Sequence, residues 1–240
     1  MSGTLFYWPD LYRGARACLA PTAAVFIFAF ALGALTYKLE WSMAYLILFI
    51  LGVTGASVQA VAIQMWTPTQ DIFPLFAACF SVQVRYILIC ASIEPLLSRL
   101  SFFEKVLAVH FTTDSNWAVI IAEKLSNKKV SAAFLLGGGM MVIGGYLTGN
   151  VAGFLSAEQI PDIRTLGLDF AIPGVFLCLL LSFCKSLRTD LLAWGVAVAV
   201  SILSKYYING GWYILLGAVS GACTSGFLHL LSPMKVKHAN

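Results

Sequence analysis

Seven long apolar intervals divide this sequence, and they leave it one class of fold. They run from Ala17 to Tyr37, Trp41 to Gln70, Ile72 to about Leu97, Val130 to Ala157, Leu166 to Phe183, Leu191 to Tyr207 and Gly211 to Leu231. Each approaches the roughly 20 residues that a helix needs to cross a bilayer core. Helices are the open-ended elements that satisfy their own backbone polar groups in hydrocarbon. Charge points the same way: 11% of residues are Asp, Glu, Lys or Arg and 60% are apolar, against roughly 25% charged in soluble domains. The expectation is an all-α, polytopic transmembrane bundle of about seven spans. It forms a single domain over residues 1–240, with an N-terminal segment at 1–16 and a C-terminal tail at 232–240.

The formal net charge of +4 is spread along the loops, with no basic tract interleaved with aromatics. That excludes nucleic acid as an expected partner and leaves the lipid bilayer. The six cysteines lie almost wholly inside apolar runs, without CxxC spacing or a neighbouring His, and read as small buried hydrophobes. No Walker A, HExxH or Gly-x-Ser-x-Gly pattern occurs, so neither an ATP-driven pump nor a familiar hydrolase is supported. No cofactor and no metal is expected.

One segment resists assignment. Ser101 to Ile121 is apolar enough to bury, yet it carries Glu104, Lys105, His110 and Asp114. It reads as a partly embedded, non-spanning segment, with an eighth crossing or a surface helix as alternatives. Seven spans then collect ten Lys/Arg on one side (Lys38, Arg99, Lys105, Lys124, Lys128, Lys129, Lys185, Arg188, Lys235, Lys237) and four on the other (Arg13, Arg16, Arg164, Lys205). The positive-inside rule puts the C-terminus in the cytoplasm and the N-terminus outside. A Gly-bearing end to the first span (Leu32 to Leu35) and to the fourth (Ala152 to Leu155) suggests an inverted repeat with broken helices.

Polar residues inside a span are costly, so they mark packing or a pathway. Gly52 to Gln59 places Gly55, Ala56, Ser57 and Gln59 in the middle of the second long interval. Small residues there allow close helix packing. The same residues also suit a local unwinding whose freed backbone binds a zwitterion. Arg85 lies near the centre of the third interval, either paired with Asp114 or Asp169 or offering its planar fork to a carboxylate. Asp114 and Asp169 are candidates for proton coupling or an ion pair, and Asp169 also suits a helix N-cap before Pro173. A transporter is the reading that uses these groups. An intramembrane enzyme built on Ser57 with His110 or Asp114, and a scaffold subunit of a membrane complex, are the rivals.

The ordered set of motifs resembles the azaleucine-resistance (AzlC-type) branched-chain amino acid permeases. It comprises Gly55-Ala-Ser57, Gln83-Val-Arg85-Tyr86, Phe111-Thr-Thr-Asp114, Gly167-Leu-Asp-Phe-Ala-Ile-Pro173 and Gly210-Gly-Trp-Tyr-Ile-Leu-Leu-Gly217. Four departures distinguish this chain: Val58 intervenes before Gln59, Gln83 replaces the Asn of Asn-x-Arg, Ser115 follows Asp114 where the family has Glu, and the Pro-Phe-Gly of the first span is missing although Pro21 remains. The resemblance implies a non-enzymatic exporter of branched-chain or related amino acids in the bacterial inner membrane. It also implies a small AzlD-type membrane subunit as partner. The substrate-binding residues it implies are Gly55, Ala56, Ser57, Gln59 and Arg85.

Overall fold

The computed structural model describes residues 5–66, 72–159, 177, 187–207 and 212–231, and every regular element among them is helical. The chain divides into two compact units. One comprises Met1–Gln64 and Gln83–Val175, the other Met65–Val82 and Phe176–Asn240. Among the described residues, three helical runs are long and apolar enough to cross a membrane: Leu19–Lys38, Ile72–Leu97 and Ala132–Gln159.

The first unit is organised on a seam of glycines. Helices α1 (Trp8–Ala17) and α2 (Leu19–Lys38) lie along α9 (Ala132–Ser156). A Cβ on Gly137 would run into the backbone of Leu11, one on Gly145 into Thr22, and one on Gly153 into Phe30, while at Gly149 it would come within 2.6 Å of the Phe26 carbonyl. In a bilayer, where lipid tails are as apolar as Leu, such backbone-to-backbone approach is what holds helices together. The paired numbers rise together, so α2 and α9 run parallel. Both ends confirm it: Ser131 Oγ, which caps α9, donates to Asp10 across 2.6 Å, and at the far end the rings of Tyr37 and Phe154 meet edge to face.

Two helical hairpins fill the space beside this seam. The first is α3 (Met43–Val53) and α4 (Ala56–Met65). Ser42 caps α3 by accepting from the Tyr45 amide at 3.1 Å, next to the C-terminal end of α2, where the Trp41 amide donates to the Thr36 carbonyl. Thr54 closes α3 in the left-handed conformation, φ 40°. At this tip Thr54 Oγ1 donates to the His110 carbonyl at 3.4 Å. Five residues on, Gln59 bonds Asn150, well along α9. The chain therefore turns back toward the end it came from.

The second hairpin is α7 (Phe102–His110) and α8 (Asp114–Leu125), following α6 (Arg85–Leu97). Its first turn lies near the N-terminal end of α9. There Leu5, Leu97, Leu100, Ala132 and Ala133 share one apolar cluster. The Glu104 carboxylate accepts from the Ser101 amide and hydroxyl and from the Leu5 amide, which holds it below the usual carboxylate range. The tip, at the Phe111 carbonyl, presses against Gly139. Thr113 and Asn116 then start α8 with a reciprocal cap, and Asn116 Nδ2 donates to the Leu135 carbonyl at 3.2 Å. Helix α8 descends to the loop before Ser131, so both feet of this hairpin stand at one end of α9. The non-spanning assignment of Ser101–Ile121 holds.

The described part of the Trp41–Gln70 interval, to Trp66, breaks at Thr54 into two short helices instead of running through as one span. The Arg13 guanidinium donates to the carbonyl of Lys129, so the chain crosses an even number of times between them, not the three crossings assigned from sequence. Composition alone does not register the turn at Thr54, because a re-entrant pair is as apolar as a span. In this unit Arg13, Arg16, Arg99, Lys105, Lys124, Lys128 and Lys129 stand at the N-terminal end of α9, and Lys38 at the other. The inverted repeat expected of the first and fourth intervals is not seen in their helices: α2 and α9 are parallel, and it is the hairpins that enter from opposite ends with their tips in contact.

The second unit contains α5 (Ile72–Gln83, except for its final residue), α10 (Leu187–Tyr207) and α11 (Trp212–Leu231). Helices α10 and α11 pack through Gly217 against Ser201 and Gly221 against Ala197. Lys205 lies over the Tyr213 ring at 5.6 Å, and Phe73 packs on Trp212 at 5.4 Å. The Leu166–Phe183 interval, with Asp169, lies outside the described residues.

Candidate functional site

The two hairpin tips and the start of α6 bring three polar side chains together. Ser57 is the second residue of α4, Arg85 the first of α6 and Asp114 the first of α8. Arg85 Nη2 donates to Ser57 Oγ at 2.6 Å and lies 2.8 Å from Asp114 Oδ2. Its guanidinium also stands 5.7 Å from the Tyr86 ring centre. One cation therefore holds both hairpins, and the N-terminal ends of α4 and α8 add positive dipole ends to the same place. Such broken-helix ends can receive an anion or a carboxylate within a membrane.

Behind this cluster stands a second polar group that is sealed from solvent. Gln59 Nε2 donates to Asn150 Oδ1 at 2.7 Å, the Tyr146 hydroxyl donates to Gln59 Oε1, and Asn150 Nδ2 donates to the Tyr146 carbonyl at 3.0 Å. Gln59 and Asn150 are fully buried, which a polar amide tolerates only when it is hydrogen-bonded. This network fixes α4 to α9 and explains why Gln59 faces inward despite the shift caused by Val58.

Of the residues singled out from sequence, Ser57, Arg85 and Asp114 converge, and Gln59 supports them from behind. Gly55 and Ala56 form the turn into α4. Gly55 is not the strained residue of that turn: a Cβ there would meet Val53 O at 3.4 Å, an ordinary contact, and Thr54 carries the positive φ. His110 contributes its carbonyl to Thr54, and Ser57 accepts its bond from Arg85. Tyr146 and Asn150 escaped the sequence reading. Their signal was an Asn four residues after a Tyr on one face of an otherwise apolar Gly-rich helix, costly unless paired.

A family model described as AzlC protein matches residues 21–160. The chain belongs to the AzlC family. The match runs from the first turn of α2 to just past α9, and so takes in both hairpins, Arg85, Asp114 and the Gln59 network. AzlC proteins are a transporter family associated with branched-chain amino acids, and the three apolar helical runs agree with a membrane protein. No curated protein and no solved structure matches the chain.

Proposed function

We propose that this AzlC-family chain exports branched-chain or related amino acids across the bacterial inner membrane, as the larger subunit of a two-component exporter with a small AzlD-type membrane subunit. The observation that carries the reading is the Arg85–Asp114 pair at the meeting of the hairpin tips. A zwitterion can take over both halves of such a pair. Its carboxylate replaces Asp114 on the Arg85 fork and its ammonium replaces Arg85 on Asp114, so no charge is left alone. Ser57, Gly55 and Ala56 would frame the carboxylate at the start of α4, Gln59 would hold that helix in place, and Asp169 is proposed as a second acid for coupling.

Orientation follows from charge. The end of α9 that gathers Arg13, Arg16, Arg99, Lys105, Lys124, Lys128 and Lys129 is assigned to the cytoplasm. With the intervals 166–183, 191–207 and 211–231 each crossing, the C-terminus returns to that side, and the N-terminus joins it. Efflux of labelled leucine from loaded cells, with and without the small subunit, tests the proposal. Efflux is expected only with both subunits. Full efflux by the chain alone removes the partner, and no efflux of any amino acid removes the function.

A further inference from the structure

Two buried polar atoms at the hairpin junction have no hydrogen-bond partner: the side-chain carbonyl Oε1 of Gln83 and the Nε of Arg85. One is an acceptor and the other a charged donor, two residues apart in the chain. The Gln83 amide faces the first hairpin tip, since a Cβ on Gly55 would lie 3.6 Å from its Nε2. Beside that Nε, the Nη2 of Arg85 holds Ser57 and Asp114. A buried acceptor and a buried cationic donor left unpaired two residues apart are an expensive arrangement for an empty site. In chemical type they complement a molecule that carries both a cationic donor and an anionic acceptor.

We infer that Gln83 is a substrate-binding residue, its carbonyl accepting from the substrate ammonium while Arg85 Nε donates to the substrate carboxylate. Asp114 supplies the negative charge near the ammonium and Gln83 a second, neutral acceptor. Recognition then rests on the α-amino group as much as on the carboxylate. The inference deepens the amino-acid reading given above and depends on it.

The test compares the full chain, alone and co-purified with its small subunit, as wild type and as Gln83→Leu. Binding of L-leucine and of 4-methylpentanoate, which has the same skeleton and carboxylate without the amino group, is measured alongside thermal melting. Leucine should bind Gln83→Leu about tenfold more weakly, with 4-methylpentanoate little changed, so the preference between them collapses. Gln83→Leu should melt no lower than wild type when empty, since an apolar group replaces an unpaired buried acceptor. An unchanged preference, or a lower melting temperature, overturns the role of Gln83 and leaves the amino-acid reading standing. Wild type that binds no amino acid in either preparation overturns that reading and this inference with it.

Discussion

Arg85 Nη2 lies 2.8 Å from Asp114 Oδ2, and each side chain keeps 29% of its surface exposed. The pair is thus neither a sealed core bridge nor a free surface contact. A sealed bridge would lock the hairpins permanently, and an exposed one would contribute little. An ion pair of intermediate exposure at a junction of broken helices is open to exchange with a ligand.

Replacement of Arg85 separates charge from shape. Arg85→Lys keeps the cation and loses the fork, so export should fall about tenfold or more while the protein still inserts. Arg85→Gln should lower expression as well, because Asp114 is left without its partner. The double variant Arg85→Gln/Asp114→Asn should recover expression and not export. Wild-type export by Arg85→Gln would reject a role in binding carboxylate, and recovery of export by the double variant would reduce the pair to a structural one.

The Gln59–Asn150 bond is predicted to be structural. Asn150→Leu leaves Gln59 Nε2 without its buried acceptor and should cost about 1–3 kcal/mol, read as a lowered melting temperature in detergent. Gln59→Leu/Asn150→Leu should cost less than the sum of the single changes. Additivity of the two in a double-mutant cycle would show that the bond does not couple them.

Glycines of the seam should divide by the space around them. A Cβ on Gly153 has no room beside the Phe30 backbone, so Gly153→Ala should destabilise by about 1–3 kcal/mol. Gly144 has nothing within 4 Å, and Gly144→Ala should be neutral or gain up to about 1 kcal/mol of helix propensity. Equal melting temperatures for the two variants would contradict the close packing of α2 on α9.

Membrane topology distinguishes a re-entrant first hairpin from a crossing. In a cysteine-free background, Glu40→Cys and Trp66→Cys should react with an impermeant thiol reagent from the same face, and Asn127→Cys from the opposite face. Labelling of Glu40→Cys and Trp66→Cys from opposite faces would restore Trp41–Gln70 as a span. A reporter fused after Asn240 should be active in the cytoplasm, together with one placed before Trp8.

Much of this fold was legible because lengths and breaks leave marks in composition. The 20 residues of α2 and the Gly55 region announced a crossing and an unwinding. The direction taken after a break leaves no such mark, since α4 is apolar whether it continues or returns, so the turn at Thr54 went unread. Arg85 and Asp114 were visible as costly groups in apolar surroundings, with Asp114 one of two acids offered as a partner for Arg85. Their pairing needed the second tip to be placed against the first, a long-range fact carried by Gly139 and Thr54. Tyr146 and Asn150 stayed hidden among the glycines of α9, where small residues dominate the pattern.

The glycine seam between α2 and α9 has a kinematic consequence. Ridges that interlock at four-residue intervals cannot slide by a fraction of that interval, and a whole step would be about 6 Å. The two helices therefore behave as a stator, a fixed part against which any working motion is measured. The hairpins meet at their tips, and each is also tied to α9, the first through Gln59 and Asn150, the second through Asn116 and the Leu135 carbonyl. Passage of a molecule between the tips asks for a parting of Thr54 from the His110 carbonyl and of Arg85 from Asp114, while α2 and α9 keep their register.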